Sequence, residues 1–216
     1  MATVTTDSLS SSTVFDLLES LGGIPARRVR LRPAPGTATE RDVLTIHSRE
    51  NRLFELVDGV LVEKAIGYLE SSIAAVLIKL IGYYLDEHDL GVVAGEAGML
   101  RIGTGLVRIP DVSFVSWDRL PGRRIPRKPI PNLVPDLAVE VISRGNTRRE
   151  MARKLSEYFG AGVRLVWLVY PKSKAIEVYT GLDACRTLRI KDTLDGGDVL
   201  PGFSMPVRKL FERASR

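Results

Sequence analysis

The sequence predicts a mixed α/β domain in which a β-sheet packs against helices. The turn Asp58-Gly59, placed between two apolar runs, indicates a β-hairpin. Residues 67–87 carry apolar side chains at helical spacing, which predicts a long helix with one buried face. Residues 136–143 are nearly all apolar, as expected of a central strand that is covered on both faces. Together these patterns predict a sheet with helices packed on it.

The remaining elements are predicted from local signals at their ends. Thr13 is placed to cap a short helix that runs to Leu21 and stops at two glycines. Residues 27–42 form a basic, proline-containing connector. Residues 91–102 and 106–116 are predicted to be two strands joined by a glycine-containing turn.

The second half of the chain predicts a helix followed by further strands. The Thr147–Glu150 spacing is that of a capping box, which opens a helix to about residue 159. Residues 164–170 and 175–180 are predicted as strands around a tight turn. Shorter strands are expected at 186–191 and before Pro201.

Composition narrows the classes of protein and of site. A chain of 216 residues with 44% hydrophobic and 26% charged residues is long enough to bury a sizeable core. The single Cys185 excludes an internal disulfide and a CxxC zinc site. Neither of the two histidines lies in a recognisable motif, which argues against a serine–histidine pair or a histidine-rich zinc site.

Targeting signals are also absent from the sequence pattern. The N-terminal segment lacks a basic region followed by an apolar run, and the apolar stretches look too short to span a bilayer. We therefore expect a cytoplasmic protein without a membrane partner, in which residues 1–12 are flexible. The net charge of +5 permits a polyanionic partner but does not require one.

Two acidic residues interrupt apolar strands. Glu140 lies in the middle of residues 136–143, and Asp111 interrupts the apolar run of residues 106–116. A buried, unpaired carboxylate costs several kcal/mol, roughly, so each needs a compensating partner. An arginine or a backbone group would serve, but two neighbouring carboxylates repel unless a cation lies between them. We therefore favour a metal site, and oxygen ligands of this kind suit Mg²⁺ or Mn²⁺.

Two further side chains are candidates for the same site, each with an open alternative. Glu70 falls within the apolar stripe of its predicted helix, so its carboxylate could bind the metal directly or through water, or bond a backbone amide instead. Lys154 lies beside the buried stripe of the second long helix. It could reach the site from there, or form a surface pair with Glu150 four residues earlier.

These motifs together resemble the Uma-two family of restriction-endonuclease-like proteins, within the PD-(D/E)XK nuclease superfamily. The resemblance runs from residue 53 to the C-terminus and is carried by sequence motifs around Asp58-Gly59, Pro110-Asp111, Pro135–Ser143, Lys154, Tyr158, Gly162 and residues 166–169. It implies a restriction-endonuclease-like mixed β-sheet flanked by helices. On that basis residues 26–216 form one nuclease-like domain, preceded by a flexible segment, 1–25, with a short helix.

The resemblance implies metal-dependent hydrolysis of phosphodiester bonds. Asp111 and Glu140 would hold Mg²⁺ or Mn²⁺, and Glu70 would match an acid that many members carry on the first core helix. The superfamily's usual lysine, two residues after the second acid, is replaced here by Ile142. Lys154 would then supply the ammonium group. Because of this replacement, a nuclease fold that binds nucleic acid or protein without cutting remains an alternative, as does a purely structural module.

Basic residues near these motifs in sequence are candidates for contacts with nucleic acid, with DNA favoured as the partner. They are Arg123, Arg124, Arg127, Lys128, Arg148 and Arg149. For any one of them, solvated charge without a partner is the default interpretation. Homodimer formation is left open by the sequence.

Overall fold

The computed structural model describes residues 13–65 and 67–214, so the predicted flexibility of residues 1–12 lies outside the described residues. Within the described ranges the α-helices are α1 (Val14–Ser20), α2 (Glu40–Glu50), α3 (Tyr68–Glu87), α4 (Arg148–Ala161) and α5 (Val207–Ala214). The strands are β1 (Val29–Arg30), β2 (Phe54–Val57), β3 (Val60–Glu63), β4 (Gly91–Gly95), β5 (Leu100–Gly103), β6 (Leu106–Arg108), β7 (Val112–Ser116), β8 (Leu137–Val141), β9 (Leu165–Tyr170), β10 (Ala175–Gly181), β11 (Ala184–Leu188), β12 (Thr193–Gly196) and β13 (Leu200–Pro206).

The strands form two larger sheets and one small one. The first sheet has the order β1-β3-β2-β6-β5, and the second has the order β11-β10-β9-β8-β7-β4. In the second sheet β8 and β9 are parallel, whereas the other neighbouring strands are antiparallel. Strands β12 and β13 pair with each other. The predicted mixed sheet is therefore confirmed.

Helices cover both faces of the second sheet. On one face, Ile73 and Leu77 of α3 share a buried core with Val139 of β8. On the other face, Met151 and Tyr158 of α4 pack in a core that includes residues of β8 and β9. This arrangement explains why all five residues of β8 are buried and why its sequence is continuously apolar apart from one acid.

Helix α3 differs from one expectation. Within the described ranges it is the segment whose length and composition would suffice to cross a membrane. The expectation that every apolar stretch is too short to span a bilayer is therefore wrong for this helix, because 20 residues of helix span about 30 Å. In this fold its apolar face packs against the second sheet.

Each of the two strands predicted for residues 91–102 and 106–116 is broken into two. The first half of one, β4, pairs with the second half of the other, β7, in the second sheet. The inner halves, β5 and β6, pair in the first sheet. A turn at residues 96–97 makes one break, and Pro110, which has no N–H for a ladder, lies at the other. Asp111 is thereby placed where the chain crosses between the two sheets.

The connector predicted for residues 27–42 is also more structured than expected. It contains β1 and the start of α2, a helix that was not predicted. Thr39 and Asp42 form its capping box, in which aspartate takes the place of the more usual Glu or Gln. Helix α5 was not predicted either. Helices α1, α3 and α4 and the hairpin at Asp58-Gly59 are confirmed.

Candidate active site

Asp111 is held against the strand that carries Glu140. Its backbone N–H donates to the carbonyl of Val139 at 2.9 Å, and its Oδ2 accepts from the N–H of Val141 at 2.6 Å. These two partners flank Glu140 in sequence, so the two acids are neighbours across adjacent strands. The Oδ1 of Asp111 forms an ion pair with Lys64 Nζ at 2.9 Å.

Glu140 is sealed against helix α4. Its side chain is 7% exposed, and its Oε1 accepts from Lys154 Nζ at 2.9 Å and from the Tyr158 hydroxyl at 2.6 Å. The two donors lie four residues apart, and therefore on the same face of α4. Burial raises the pKa of the Glu140 carboxyl, Lys154 opposes that rise, and the charge of Asp111 adds to it. The contacts of Asp111 with Val139 and Val141, on either side of Glu140, place the two acids close together.

Lys154 is shared between two carboxylates. Its side chain is 3% exposed, and its Nζ lies 3.1 Å from Glu55 Oε1 in addition to its contact with Glu140. Burial disfavours the ammonium, but the two carboxylates outweigh it and raise the lysine pKa. The surface pair with Glu150 is therefore the wrong alternative, because Glu150 pairs with buried Arg28 at 2.8 Å.

Glu55 is the site residue that sequence reasoning missed. It is fully buried on β2, where its Oε1 also accepts from the N–H of Ile109 at 3.1 Å and its Oε2 pairs with Arg108 at 2.7 Å. Burial acts to raise its carboxyl pKa, but Lys154 and Arg108 hold that pKa below its usual range. An acid inside the apolar run of β2 is the same signal that identified Glu140, so Glu55 was detectable in the sequence.

Lys64 and Arg108 complete the network. Lys64 Nζ donates to the carbonyl of Ile109 and forms an ion pair with Asp111, and Arg108 joins Glu55 to Glu157. Asp111 pairs with Lys64 and Glu140 pairs with Lys154, so each acid has a compensating charge within the protein, and the favoured metal site stays a prediction. Basic residues in strands and strand ends, unlike acids in apolar runs, carry no distinctive sequence signal, and neither of these two was identified.

Three cavities adjoin the Asp111–Lys64 pair. One, of about 350 Å³, is lined by Asp111 together with Ser71, Glu96 and small residues of α3 and the β4–β5 turn. A second, of about 510 Å³, is lined by Lys64, Glu70, Arg27 and Arg144, among others. A third, of about 430 Å³, shares Lys64 with the second and Glu96 with the first. The Asp111 end of the site is thus reachable from solvent.

Glu70 lies apart from the two acids. It lines the second cavity, and its carboxylate folds back on the first turn of α3, where a Cβ added to Gly67 would lie 2.1 Å from Glu70 Oε2. In the part of the chain that the structure describes, no group of three or more acid, histidine or cysteine side chains is arranged to hold a metal. The direct role of Glu70 as a third ligand stays a prediction.

The donor chemistry nevertheless fits a hard divalent cation. Mg²⁺ is commonly bound through one or two carboxylates, with water and substrate phosphate at its remaining positions. Asp111 and Glu140 offer two carboxylates, and each oxygen has lone pairs beyond those used by the lysines. Lys154 and Tyr158 both donate to the same oxygen of Glu140, Oε1.

The predicted nucleic-acid residues fall into different surroundings. Arg123 pairs with Asp89 at 3.1 Å and lies over the ring of Trp117. It follows the end of β7 opposite to Asp111, and an antiparallel strand of five residues separates its ends by roughly 17 Å. Proximity in sequence therefore does not place Arg123 beside the site. The remaining residues of this set, Arg124, Arg127, Lys128, Arg148 and Arg149, are exposed.

Comparison with known proteins agrees with this architecture. The family model described as Uma2, putative restriction endonuclease, matches residues 41–208, which is more than half of the chain. The fold is similar to the crystal structure of a putative nuclease belonging to DUF820 from Anabaena variabilis ATCC 29413, with a TM-score of 0.67 and 17% sequence identity. That similarity covers 76% of this chain and 92% of the other. No curated protein matches the chain.

The structural similarity confirms the predicted fold class, and the family model confirms the resemblance first detected in the motifs. The matched region includes Asp111, Glu140 and Lys154. The chain belongs to the Uma2 family of putative restriction endonucleases.

Proposed function

We propose that this protein is a metal-dependent endonuclease that hydrolyses phosphodiester bonds in nucleic acid, with DNA as its favoured substrate. The observation that carries the proposal is the closeness of Asp111 and Glu140 on neighbouring strands, where Asp111 lines an open cavity. Nuclease-like function is supported by the family match and by the nuclease fold. Mg²⁺ or Mn²⁺ is the cofactor that we propose.

The residues of the chain divide the work between them. Asp111 and Glu140 would hold the cation, which when bound polarises a phosphate and lowers the pKa of water. Lys64 adjoins the cavities, so its ammonium is placed to attract an entering phosphate. Lys154 is buried between Glu55 and Glu140, where it orients the Glu140 carboxylate. We therefore assign Lys154 a positioning role toward Glu140.

The alternative function is binding of nucleic acid without cleavage. Two observations favour it: Ile142 stands where the superfamily carries its lysine, and each proposed metal ligand already has a lysine partner. In such a protein the network would serve as a stable core, and the cavities would serve as the binding surface. Cleavage assays separate the two functions.

The test combines metal binding with cleavage. Asp111→Asn and Glu140→Gln remove a charge with little change of shape, and we expect each to abolish Mn²⁺ binding in calorimetry. Cleavage of plasmid, single-stranded DNA or RNA with Mg²⁺ or Mn²⁺ should fall at least about a hundredfold in both. Glu177→Gln is the matched control, because Glu177 is a partly buried acid of the same sheet, two strands from Glu140, that accepts hydrogen bonds from Tyr170 and Tyr179.

Equal Mn²⁺ affinity in the wild type and both variants would contradict the metal site. Cleavage that survives in Asp111→Asn would indicate a contaminating nuclease or a different site. Mn²⁺ binding without any cleavage would favour the alternative function.

A further inference from the structure

The second cavity, lined by Arg27, Lys64, Gly67, Glu70 and Arg144, has features that the hydrolytic site alone does not explain. We call it the Arg27–Arg144 cleft. Arg27 and Arg144 are both exposed, and in the described residues neither forms an ion pair with a carboxylate. Unpaired guanidinium groups on the wall of a cleft are available to an anionic ligand.

Buried Arg28 connects the two walls of this cleft. It donates to the carbonyl of Glu63 at 2.8 Å and to the carbonyl of Gly145 at 2.9 Å, and it also pairs with Glu150. It therefore connects the end of β3 to the loop that carries Arg144. Because the backbone on both sides is fixed, Arg27 and Arg144 extend from a prearranged frame, which lowers the entropic cost of binding.

An exposed aromatic residue lies in the first turn of α3, in the stretch of chain that forms one wall of the cleft. Tyr68 is 94% exposed, and it lies between Gly67 and Glu70, which both line the cleft. Its neighbour Leu69 is 44% exposed. An aromatic ring with so little contact to its own protein gains nothing for the fold, although it occupies the first turn of a core helix.

Tyr83, on the same helix, shows the contrast. It is 58% exposed, and Lys79 lies over its ring at 5.5 Å. That cation–π contact gives Tyr83 a partner within the protein. Tyr83 is about 22 Å farther along α3, well away from the cleft.

We propose that the Arg27–Arg144 cleft binds single-stranded nucleic acid, with Tyr68 stacking on an unpaired base. This inference rests on the proposed function, because it names the form of substrate that reaches Asp111. Single-strand binding combines a cationic groove for the backbone with aromatic rings on which bases stack. In a duplex the bases are already stacked inside the helix, so a lone exposed tyrosine would find no base face to contact. The Lys64 ammonium at the inner end of the cleft leads the backbone toward Asp111.

The test measures binding in the absence of metal, so that it does not depend on cleavage. Fluorescence anisotropy in EDTA compares labelled oligothymidylate, oligouridylate and a blunt duplex as probes. Tyr68→Ala should weaken binding of the single strands about tenfold and binding of the duplex less than about twofold. Tyr68→Phe should bind within about twofold of the wild type, because the ring is kept. Tyr83→Ala is the matched control and should bind as the wild type does.

The cationic half of the inference is tested by salt dependence. Arg27→Ala and Arg144→Ala should each reduce the slope of log affinity against log salt by about 0.7 for single strands. Both residues are exposed, so both variants should fold. A preference between the DNA and RNA probes would identify which strand the cleft favours, and either preference supports the inference.

Three results would overturn the inference. The first is a wild-type protein that fails to bind single strands at low salt, and the second is a Tyr68→Ala protein that binds them as tightly as the wild type does. The third result is a loss of affinity in Tyr68→Ala that is equal for duplex and single strand. Each of these leaves the metal and cleavage results intact. Conversely, single-strand binding through Tyr68 without any cleavage would remove the proposed hydrolytic function and keep the cleft.

Discussion

Asp111 and Glu140 look alike in the sequence, yet the structure gives them different surroundings. Asp111 with Lys64 forms an open side of the site, since both residues line cavities that reach solvent. Glu140 with Lys154 and Glu55 forms a closed side, in which every side chain is at most 7% exposed. The Lys64 side chain is equally buried, at 4%, so on the open side it is the Asp111 carboxylate, 11% exposed, that meets the cavity. Binding of an entering ligand belongs to the open side, whereas the closed side holds the carboxylates in place.

The difference teaches how an acid inside an apolar strand should be interpreted. Burial of the carboxylate requires a compensating charge, but that charge need not be a metal ion. On the closed side Glu55 and Glu140 share Lys154. Burial raises the pKa of Glu140, whereas Lys154 and Arg108 hold the pKa of Glu55 below its usual range. Burial is the largest cause of the raised Glu140 pKa and the charge of Asp111 adds to it, so a bound cation would favour the charged form of Glu140.

The largest expected effect comes from removing the lysine of the closed side. Lys154→Met leaves Glu55 and Glu140 buried without their ammonium, and we expect it to lower the free energy of unfolding by about 3–5 kcal/mol. Lys64→Met should cost less, about 1–3 kcal/mol, because Asp111 keeps the Val141 N–H and lies at a cavity that water can enter. Urea denaturation of both variants measures the difference. Equal losses would erase the distinction between the two sides.

A smaller effect is the pH dependence of stability, to which Glu55 and Glu140 contribute with opposite signs. The folded-state pKa of Glu55 is depressed, so the stability that Glu55 contributes is present above its unfolded pKa of about 4.3 and is lost as pH falls below it. Glu140 has the opposite sign: its raised pKa makes the folded state bind the extra proton, so stability declines as pH rises through the window above about 4.3.

Two isosteric variants test these signs. Glu55→Gln should lower stability at pH 7 and flatten the loss of stability below about pH 4. Glu140→Gln should leave stability at pH 7 unchanged or higher, since it removes a charge that burial penalises. Urea unfolding at a series of pH values from 3 to 7, on the order of six points, measures both. Matching pH profiles for the two variants would contradict the assignment of opposite shifts.

Much of the fold was predictable because its signals are local. The Asp58-Gly59 turn and the Thr147 capping box each act within a few residues, and the structure confirms both. The breaks at residues 96–97 and at Pro110 were not predicted, because the choice of sheet for each half-strand depends on distant partners. Helix α2 was missed since its cap uses Asp42 and its sequence is largely polar.

The site shows the same division between local and distant information. Asp111 and Glu140 were found because an acid in an apolar strand is visible in the sequence alone. Their partners were harder to identify. Lys64 and Asp111 are far apart in the sequence, and the alternation of side chains along a β-strand gives no information about contacts between distant residues. Glu55 could have been identified by the rule applied to Glu140.

The smallest expected effect on nucleic-acid affinity comes from substituting Arg123, which is far from both sides of the site. Arg123 is 61% exposed, pairs with Asp89 and follows the far end of β7 from Asp111. Its guanidinium is already engaged, and an exposed pair of this kind contributes under about 1 kcal/mol to stability. We therefore expect Arg123→Ala to change single-strand affinity by less than about twofold, whereas Arg144→Ala lowers both the affinity and its salt dependence. The comparison uses the same labelled oligothymidylate and the same salt series for both variants. A loss in Arg123→Ala as large as that in Arg144→Ala would extend the binding surface across the second sheet, and the open side would then no longer be the principal point of entry for nucleic acid.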